Sequence, residues 1–143
     1  MNTFEIELVE RELQGVSIPV WDFVIDNSSF QDSLKKEFPS LFDASRFSEL
    51  FMPDISGILS KSDKIITPIY RCMDDCCDYI FAEINQTNNI TSWNRIGRNS
   101  LYVQPKKSSG EAIDWIEGFE PISFESESYY KILKNCKLQK KQT

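Results

Sequence analysis

The sequence predicts an α+β fold in a single domain, with an antiparallel sheet, helices packed on one side of it and a C-terminal helix. Residues 4–9, FEIELV, alternate apolar and acidic side chains with the period of a half-buried strand. Apolar side chains recur with helical spacing in 30–38 and again in 129–136. The 143 residues, with ten Phe, suffice for one hydrophobic core and leave little room for two.

The N-terminal part is predicted to form a hairpin over residues 4–25. Gly15 marks its turn, and the following segment, VSIPVWDFVI, is rich in β-branched and aromatic residues. Because Pro19 lacks an N–H group, its place in the second strand must be an edge or a bulge.

A helical segment is predicted over residues 28–60. Polar residues before Phe30 supply capping oxygens, and the first helix ends before Pro39. A second helical turn, which Pro53 ends, is expected to point Phe51 inward.

An antiparallel meander is predicted over residues 65–97. Pro68 again indicates an edge or a kink. The expected strands are 65–72, 77–84 and 90–97, joined by a cysteine-containing turn and by a turn at 85–89.

The remaining chain is predicted to form a loop over 98–112, a short strand or turn within 112–124, and a C-terminal helix over 126–138. We expect Ser126 to cap this helix. The helical stripe that faces the core consists of Tyr129, Ile132, Leu133 and Cys136.

Composition excludes several classes of function. With no histidine, the chain can form neither a serine–histidine or cysteine–histidine pair nor a histidine-ligated metal site. The scattered glycines form no phosphate-binding motif. Arg95 and Arg98 are expected to be two rim cations, too few for a nucleic-acid patch.

Charge favours a basic protein partner. The net charge is −6, but residues 1–130 carry 11 basic and 22 acidic side chains, because five lysines lie in the last 13 positions. A chain with this excess of acidic side chains repels nucleic acids and anionic lipid and attracts basic proteins. The alternative is that the acids serve only to keep the protein soluble. The acidic, alternating N-terminus is no signal peptide, and no apolar run can span a membrane, so we expect a cytoplasmic protein.

The cysteines Cys72, Cys76, Cys77 and Cys136 are interpreted as free thiols that pack rather than react. The first three follow a C-x-x-x-C-C pattern, whereas zinc sites usually show C-x-x-C pairs. We therefore expect no metal and no cofactor.

Two acidic clusters are the candidate binding residues, and neither follows a calcium-loop template. The first is Asp74, Asp75 and Asp78; the second is Glu111, Asp114, Glu117 and Glu120, with Trp115 as an aromatic anchor. Two alternatives stay open: Trp115 and Phe119 belong to the core beside solvated acids, or paired carboxylates perform acid–base catalysis.

The segment 65–136 shows a succession of motifs: IYRC, DDCCDYIFAEI, SWNRIG, FEPISF and SESYYKIL. In this outline it resembles small bacterial immunity proteins of contact-dependent growth inhibition and related polymorphic toxin systems. Cys77 and Asp78 stand where we associate glycines with the cysteine turn of that group. The resemblance implies a cytosolic, non-catalytic antidote that binds a cognate toxin domain, often a basic nuclease. A small acidic structural or regulatory binding module is the alternative, and a carboxylate-dependent enzyme the third.

Overall fold

The computed structural model describes residues 1–13, 15–42, 51–59, 65–72, 79–99 and 113–136. Within these ranges the strands are β1 (Phe4–Leu13), β2 (Val16–Ile25), β3 (Ser28–Ser29), β4 (Phe51–Pro53), β5 (Ile66–Cys72), β6 (Tyr79–Thr87), β7 (Ile90–Asn99), β8 (Ile113–Trp115) and β9 (Ile122–Glu125). The helices are α1 (Phe30–Glu37), α2 (Ile55–Leu59) and α3 (Ser126–Lys134), with a 3-10 turn at Pro39–Leu41.

The strands are divided between two antiparallel sheets. The first contains β1, β2 and β3 in that order. The second has the order β4-β5-β6-β7-β8, and β9 also pairs with β7. The α+β class, the single small domain and the C-terminal helix are confirmed.

The predicted N-terminal hairpin is present. β1 and β2 pair in unbroken register from Phe4 opposite Ile25 to Leu13 opposite Val16. β3 reaches β2 only at Val24 and Ile25, so among the described strands β2 is an edge where Pro19 lies, which suits its missing N–H group.

The segment predicted as helical contains a strand. α1 is capped as expected, since the Ser29 side chain accepts a hydrogen bond from Asp32 N–H at 3.1 Å, and the helix ends before Pro39. Phe51 is buried as expected, but it begins β4 instead of lying on a helix, so that prediction is wrong. The Gln31 side chain holds Phe51 extended, because its amide accepts from Phe51 N–H at 2.9 Å and donates to the Phe51 carbonyl at 3.0 Å.

The meander of β5, β6 and β7 is confirmed, with a shorter second turn than predicted. β6 continues to Thr87, so only Asn88 and Asn89 turn the chain, and Asn88 has the left-handed φ of 57° that a tight turn needs. Arg98 and Asn99, which the prediction places at the start of a loop, pair with β8 instead, and the rest of that predicted loop lies outside the described residues.

Bulges change which side chains face inward. β5 shifts register between Pro68 and Tyr70, so Ile69 and Tyr70 are both buried despite being neighbours. This is the irregularity that Pro68 predicted. A second shift beside Asn94 of β7 brings both Trp93 and Ile96 into the core.

The terminal helix α3 packs as predicted but has different ends. Glu125, not Ser126, is the N-cap residue, and the Ser126 hydroxyl instead lies 2.7 Å from that of Thr91. The helix ends at Lys134 with Asn135 as its C-cap, short of the predicted 138. Of the expected inward stripe, Tyr129, Leu133 and Cys136 are buried, and Ile132 is half-buried against the core.

One hydrophobic core joins both sheets and all three helices. Trp93 is fully buried in it, and its indole N–H donates to the Tyr129 hydroxyl at 3.1 Å. Phe4 and Phe23 bring the N-terminal hairpin into the same cluster, with ring centroids 6.0 and 5.5 Å from Trp93. None of the helices in the described ranges is long and apolar enough to cross a membrane.

Candidate partner-binding site

The structure describes three of the seven acids that the sequence singles out. Asp114, Glu117 and Glu120 are all exposed. Asp114 lies on β8, opposite Arg98 of β7. Outside the described residues are Asp74, Asp75, Asp78 and Glu111.

Trp115, the expected aromatic anchor, already has a partner within the chain. It is half-buried, and the guanidinium carbon of Arg95 lies 4.2 Å from its ring centroid. Glu83 fixes Arg95 through two hydrogen bonds of 3.2 and 3.1 Å. A partner would therefore meet an arginine–tryptophan stack here rather than a bare ring.

Of the two expected rim cations, Arg95 is exposed, whereas Arg98 is only 6% exposed. The Arg98 side chain donates to the carbonyl of Leu41 at 3.1 Å, and its guanidinium carbon lies 5.1 Å from the ring centroid of Phe51. The rim prediction is thus wrong for Arg98, because β7 continues past Gly97 into the core.

Glu120 contributes to a cleft of about 490 Å³ between α1, the β2–β3 turn and residues 118–122, which we call the acidic cleft. Asp26 and Glu37 are its other ionisable lining residues, and no basic side chain among the described residues lines it. The lining residues are Ile25, Asp26, Ser28, Phe30, Ser33, Leu34, Glu37, Phe38, Gly118, Phe119, Glu120 and Ile122.

Asp26 is held in place by the N-terminus of the chain. Asp26 and Asn27 both have left-handed backbone angles, with φ of 54° and 67°, and form the two-residue turn between β2 and β3. Hydrogen bonds from the Asn2 amide at 2.6 Å and from Thr3 N–H at 2.9 Å lower the pKa of Asp26. This carboxylate is therefore a fixed negative charge at neutral pH.

Glu37 adds charge where the helix already favours cations. It is the last residue of α1, whose C-terminal carbonyl groups carry the negative end of the helix dipole. Phe38, the C-cap residue, follows directly and lines the same cleft.

Three phenylalanine rings line the acidic cleft, and Phe119 contacts the other two. The centroids of Phe38 and Phe119 are 6.3 Å apart, and Phe30 lies 6.4 Å from Phe119. Gly118, with φ of 87°, makes the turn that places Phe119 there. A long cationic side chain can bury its methylenes against such rings and bring its charge to the carboxylates.

A second polar centre lies inside the protein and does not line the acidic cleft. The fully buried Asp22 accepts hydrogen bonds from Arg11 at 2.9 Å, from the hydroxyl groups of Ser29 and Tyr70, and from Phe23 N–H. Burial raises the pKa of Asp22 although these donors lower it, and burial followed by the Asp22 charge raises the pKa of Tyr70. This centre ties β2 to β5, so it stabilises the contact between the two sheets.

Sequence reasoning missed Asp26 and Glu37 because they are distant from Glu120 along the chain. The acids that the sequence groups are neighbours in the chain, whereas Glu37 and Glu120 of the cleft are more than eighty positions apart. The available signals were a turn-forming Asp26–Asn27 pair and an aromatic residue, Phe38, at a helix end before proline.

In the part of the chain that the structure describes, no three potential ligands are grouped for a metal ion, and Cys136 is a buried free thiol. Cys76 and Cys77 lie outside the described residues, as does the Cys72 side chain.

No protein-family model matches the chain, and no similar curated protein or solved structure was found.

Proposed function

We propose that this chain is an immunity protein that binds a cognate, basic toxin domain in the cytoplasm and neutralises it without catalysis. The acidic cleft is the observation that supports the proposal most directly. Three acidic residues and three phenylalanines line it, and no described basic residue lines it to neutralise the acids.

The chemistry of the acidic cleft suits a lysine or arginine side chain of a protein. Its apolar walls accept the stem of such a side chain, while Asp26, Glu37 and Glu120 accept hydrogen bonds from the cationic head. Basic nucleases place such cations in their phosphate-binding clefts, and an inhibitor that covers them blocks the substrate. The excess of acidic side chains attracts a basic toxin domain and so speeds its association with this chain.

Rescue of growth tests the proposal. The gene next to that of this chain is expressed alone and together with it, on the expectation that the neighbour encodes the toxin. The wild-type chain should restore growth and bind the purified toxin domain with an affinity that falls as salt rises. Absence of rescue, or binding that does not respond to salt, would contradict the proposal.

Charge reversal then tests the cleft. Glu37→Lys combined with Glu120→Lys should weaken binding to the toxin by at least about tenfold, since an acid paired with a buried cation carries about 2–5 kcal/mol. Glu125→Lys combined with Glu127→Lys is the matched control, because it changes the net charge equally at two exposed acids outside the cleft. Equal affinities for the two double variants would exclude the acidic cleft as the contact.

A further inference from the structure

β1 presents a long open edge. It pairs with β2 along all ten of its residues without a shift in register, and within the described ranges no strand pairs with its other side. The backbone of Asn2 is bonded to Ser123 of β9 at 2.8 Å, and the buried Phe4 packs on Tyr129 of α3 with ring centroids 4.7 Å apart, so the open part begins at the exposed Glu5.

Exposed edges normally carry a feature that prevents another strand from adding to them. Natural sheets use short edge strands, proline, bulges, charged side chains on the edge or inward charges for this purpose. β1 is long and regular and contains no proline, so its protective features are charges: four exposed glutamates, and Arg11, which is directed to the buried Asp22. The glutamates oppose a strand of like charge, whereas a strand of opposite charge meets a regular template for addition.

The charge on β1 selects the kind of strand that can add. Glu5, Glu7, Glu10 and Glu12 are all exposed. The only cation of the strand, Arg11, is directed to Asp22 at 2.9 Å and Asp32 at 3.0 Å, so it does not neutralise the glutamates.

We propose that the open edge of β1 accepts an extended segment of a basic protein, with lysine or arginine opposite the glutamates. Backbone hydrogen bonds would supply the pairing, and the opposite charges would select the partner and its register. The inference rests on the proposed function in taking the partner to be basic, but it concerns a surface separate from the acidic cleft.

A second copy of this chain is the less suitable occupant. Two β1 edges brought together would place four glutamates of each strand within one small sheet, while both Arg11 side chains stay bound to their own buried carboxylates. Like charges on paired strands destabilise the pairing. The charge pattern of β1 therefore opposes self-association.

Designed peptides test the inference without any toxin. The probe is the ten-residue peptide TKVKVVKVKT, which matches β1 in length and places lysines opposite its glutamates. A control peptide, TKVKPPKVKT, keeps the charge but cannot form a continuous strand. Binding is measured by fluorescence anisotropy and the contact by amide hydrogen exchange in NMR spectra of the full chain.

We expect the first peptide to slow exchange of alternate amides in β1 by at least about tenfold and to bind about tenfold more tightly than the proline peptide. Glu5→Lys combined with Glu12→Lys should abolish the difference, whereas Glu125→Lys combined with Glu127→Lys, which changes the net charge equally outside β1, should not. Circular dichroism checks that each variant is folded.

Equal binding of the two peptides would overturn the inference, because the attraction would then be charge alone. It would also be overturned by absence of binding at low salt, by protection outside β1, or by a dimer in light scattering whose β1 amides are already protected. Since no toxin is used, these results are independent of the growth rescue that tests the proposed function.

Discussion

The bond between Tyr70 and Asp22 should contribute measurably to stability because it joins the two sheets. Both side chains are fully buried, and the Tyr70 hydroxyl donates directly to the Asp22 carboxylate. Tyr70→Phe removes this donor while keeping the ring that packs on Phe23 with centroids 5.0 Å apart. The substitution therefore isolates the polar contact from the aromatic packing.

The magnitude follows from the charge on the acceptor. A hydrogen bond to a charged group contributes about 1.5–3 kcal/mol, so we expect Tyr70→Phe to lower the free energy of unfolding by about 2 kcal/mol. Asp22→Asn leaves Arg11 with Asp32 alone, and breaking a buried pair costs about 3–5 kcal/mol. In the Asp22→Asn background the tyrosine should contribute only about 1 kcal/mol, as a neutral bond does.

Urea unfolding at pH 7 of the wild type, both single variants and the double variant gives the coupling free energy. We expect a coupling of about 1 kcal/mol or more. Tyr130→Phe is the control, because Tyr130 is only half-buried and lies outside this network. If Tyr70→Phe costs no more than Tyr130→Phe, or if the effects of Tyr70→Phe and Asp22→Asn simply add, the bond between the sheets does not stabilise the fold.

Four further predictions concern packing, pH and thiols. A methyl group on Gly97 would lie 2.6 Å from Ile113 and 2.9 Å from the ring of Trp115, so Gly97→Ala should displace β8. We expect this variant to lower the free energy of unfolding in urea by about 1–3 kcal/mol and to shift the tryptophan fluorescence to the red. Leu133→Ala should cost about 2–5 kcal/mol in the same assay, since Leu133 is fully buried, and a loss under about half a kcal/mol would mean that α3 is not docked. Because the pKa of Asp26 is lowered in the folded protein, its carboxylate stabilises the fold above the ordinary pKa of 3.8, and this stabilisation is lost as pH falls through the lowered pKa. In thermal unfolding between about pH 2 and pH 5, the contribution of Asp26 should disappear with falling pH in the wild type and be absent from Asp26→Asn. Metal analysis should find no stoichiometric zinc on the four cysteines, and one zinc per chain would contradict the C-x-x-x-C-C argument.

The sequence correctly predicts the elements in which the local residue pattern and the tertiary packing favour the same structure. The alternation in β1, the stripe on α3 and the irregularity at Pro68 each follow from residues close together in the chain. β4 could not be predicted in this way, because Phe51 is held extended by the side chain of Gln31, twenty positions earlier. Tertiary contacts decide the structure of such a short segment, and its own residues do not.

The acidic cleft was harder to predict because its acids converge only after folding. The sequence identifies Glu120 from its acidic neighbourhood, but Asp26 and Glu37 reach the same cleft through a turn and a helix end. No periodicity relates these three positions. What the sequence does provide is the excess of acids, and the fold decides where that excess is concentrated.

Three of the described arginines are directed to partners within the chain, so they do not neutralise the acids of the cleft or of β1. Arg11 binds Asp22 and Asp32, Arg95 binds Glu83 and stacks on Trp115, and Arg98 is buried against the Leu41 carbonyl and Phe51. Each arginine therefore performs a structural task that a solvated lysine could not, since its planar group donates in several directions and stacks on rings. The acids of the cleft and of β1 gain no such partners from these arginines. Replacement of Arg11 by Lys keeps the charge but loses the planar group that reaches both Asp22 and Asp32, so it should disturb the hairpin more than it changes the charge of either surface.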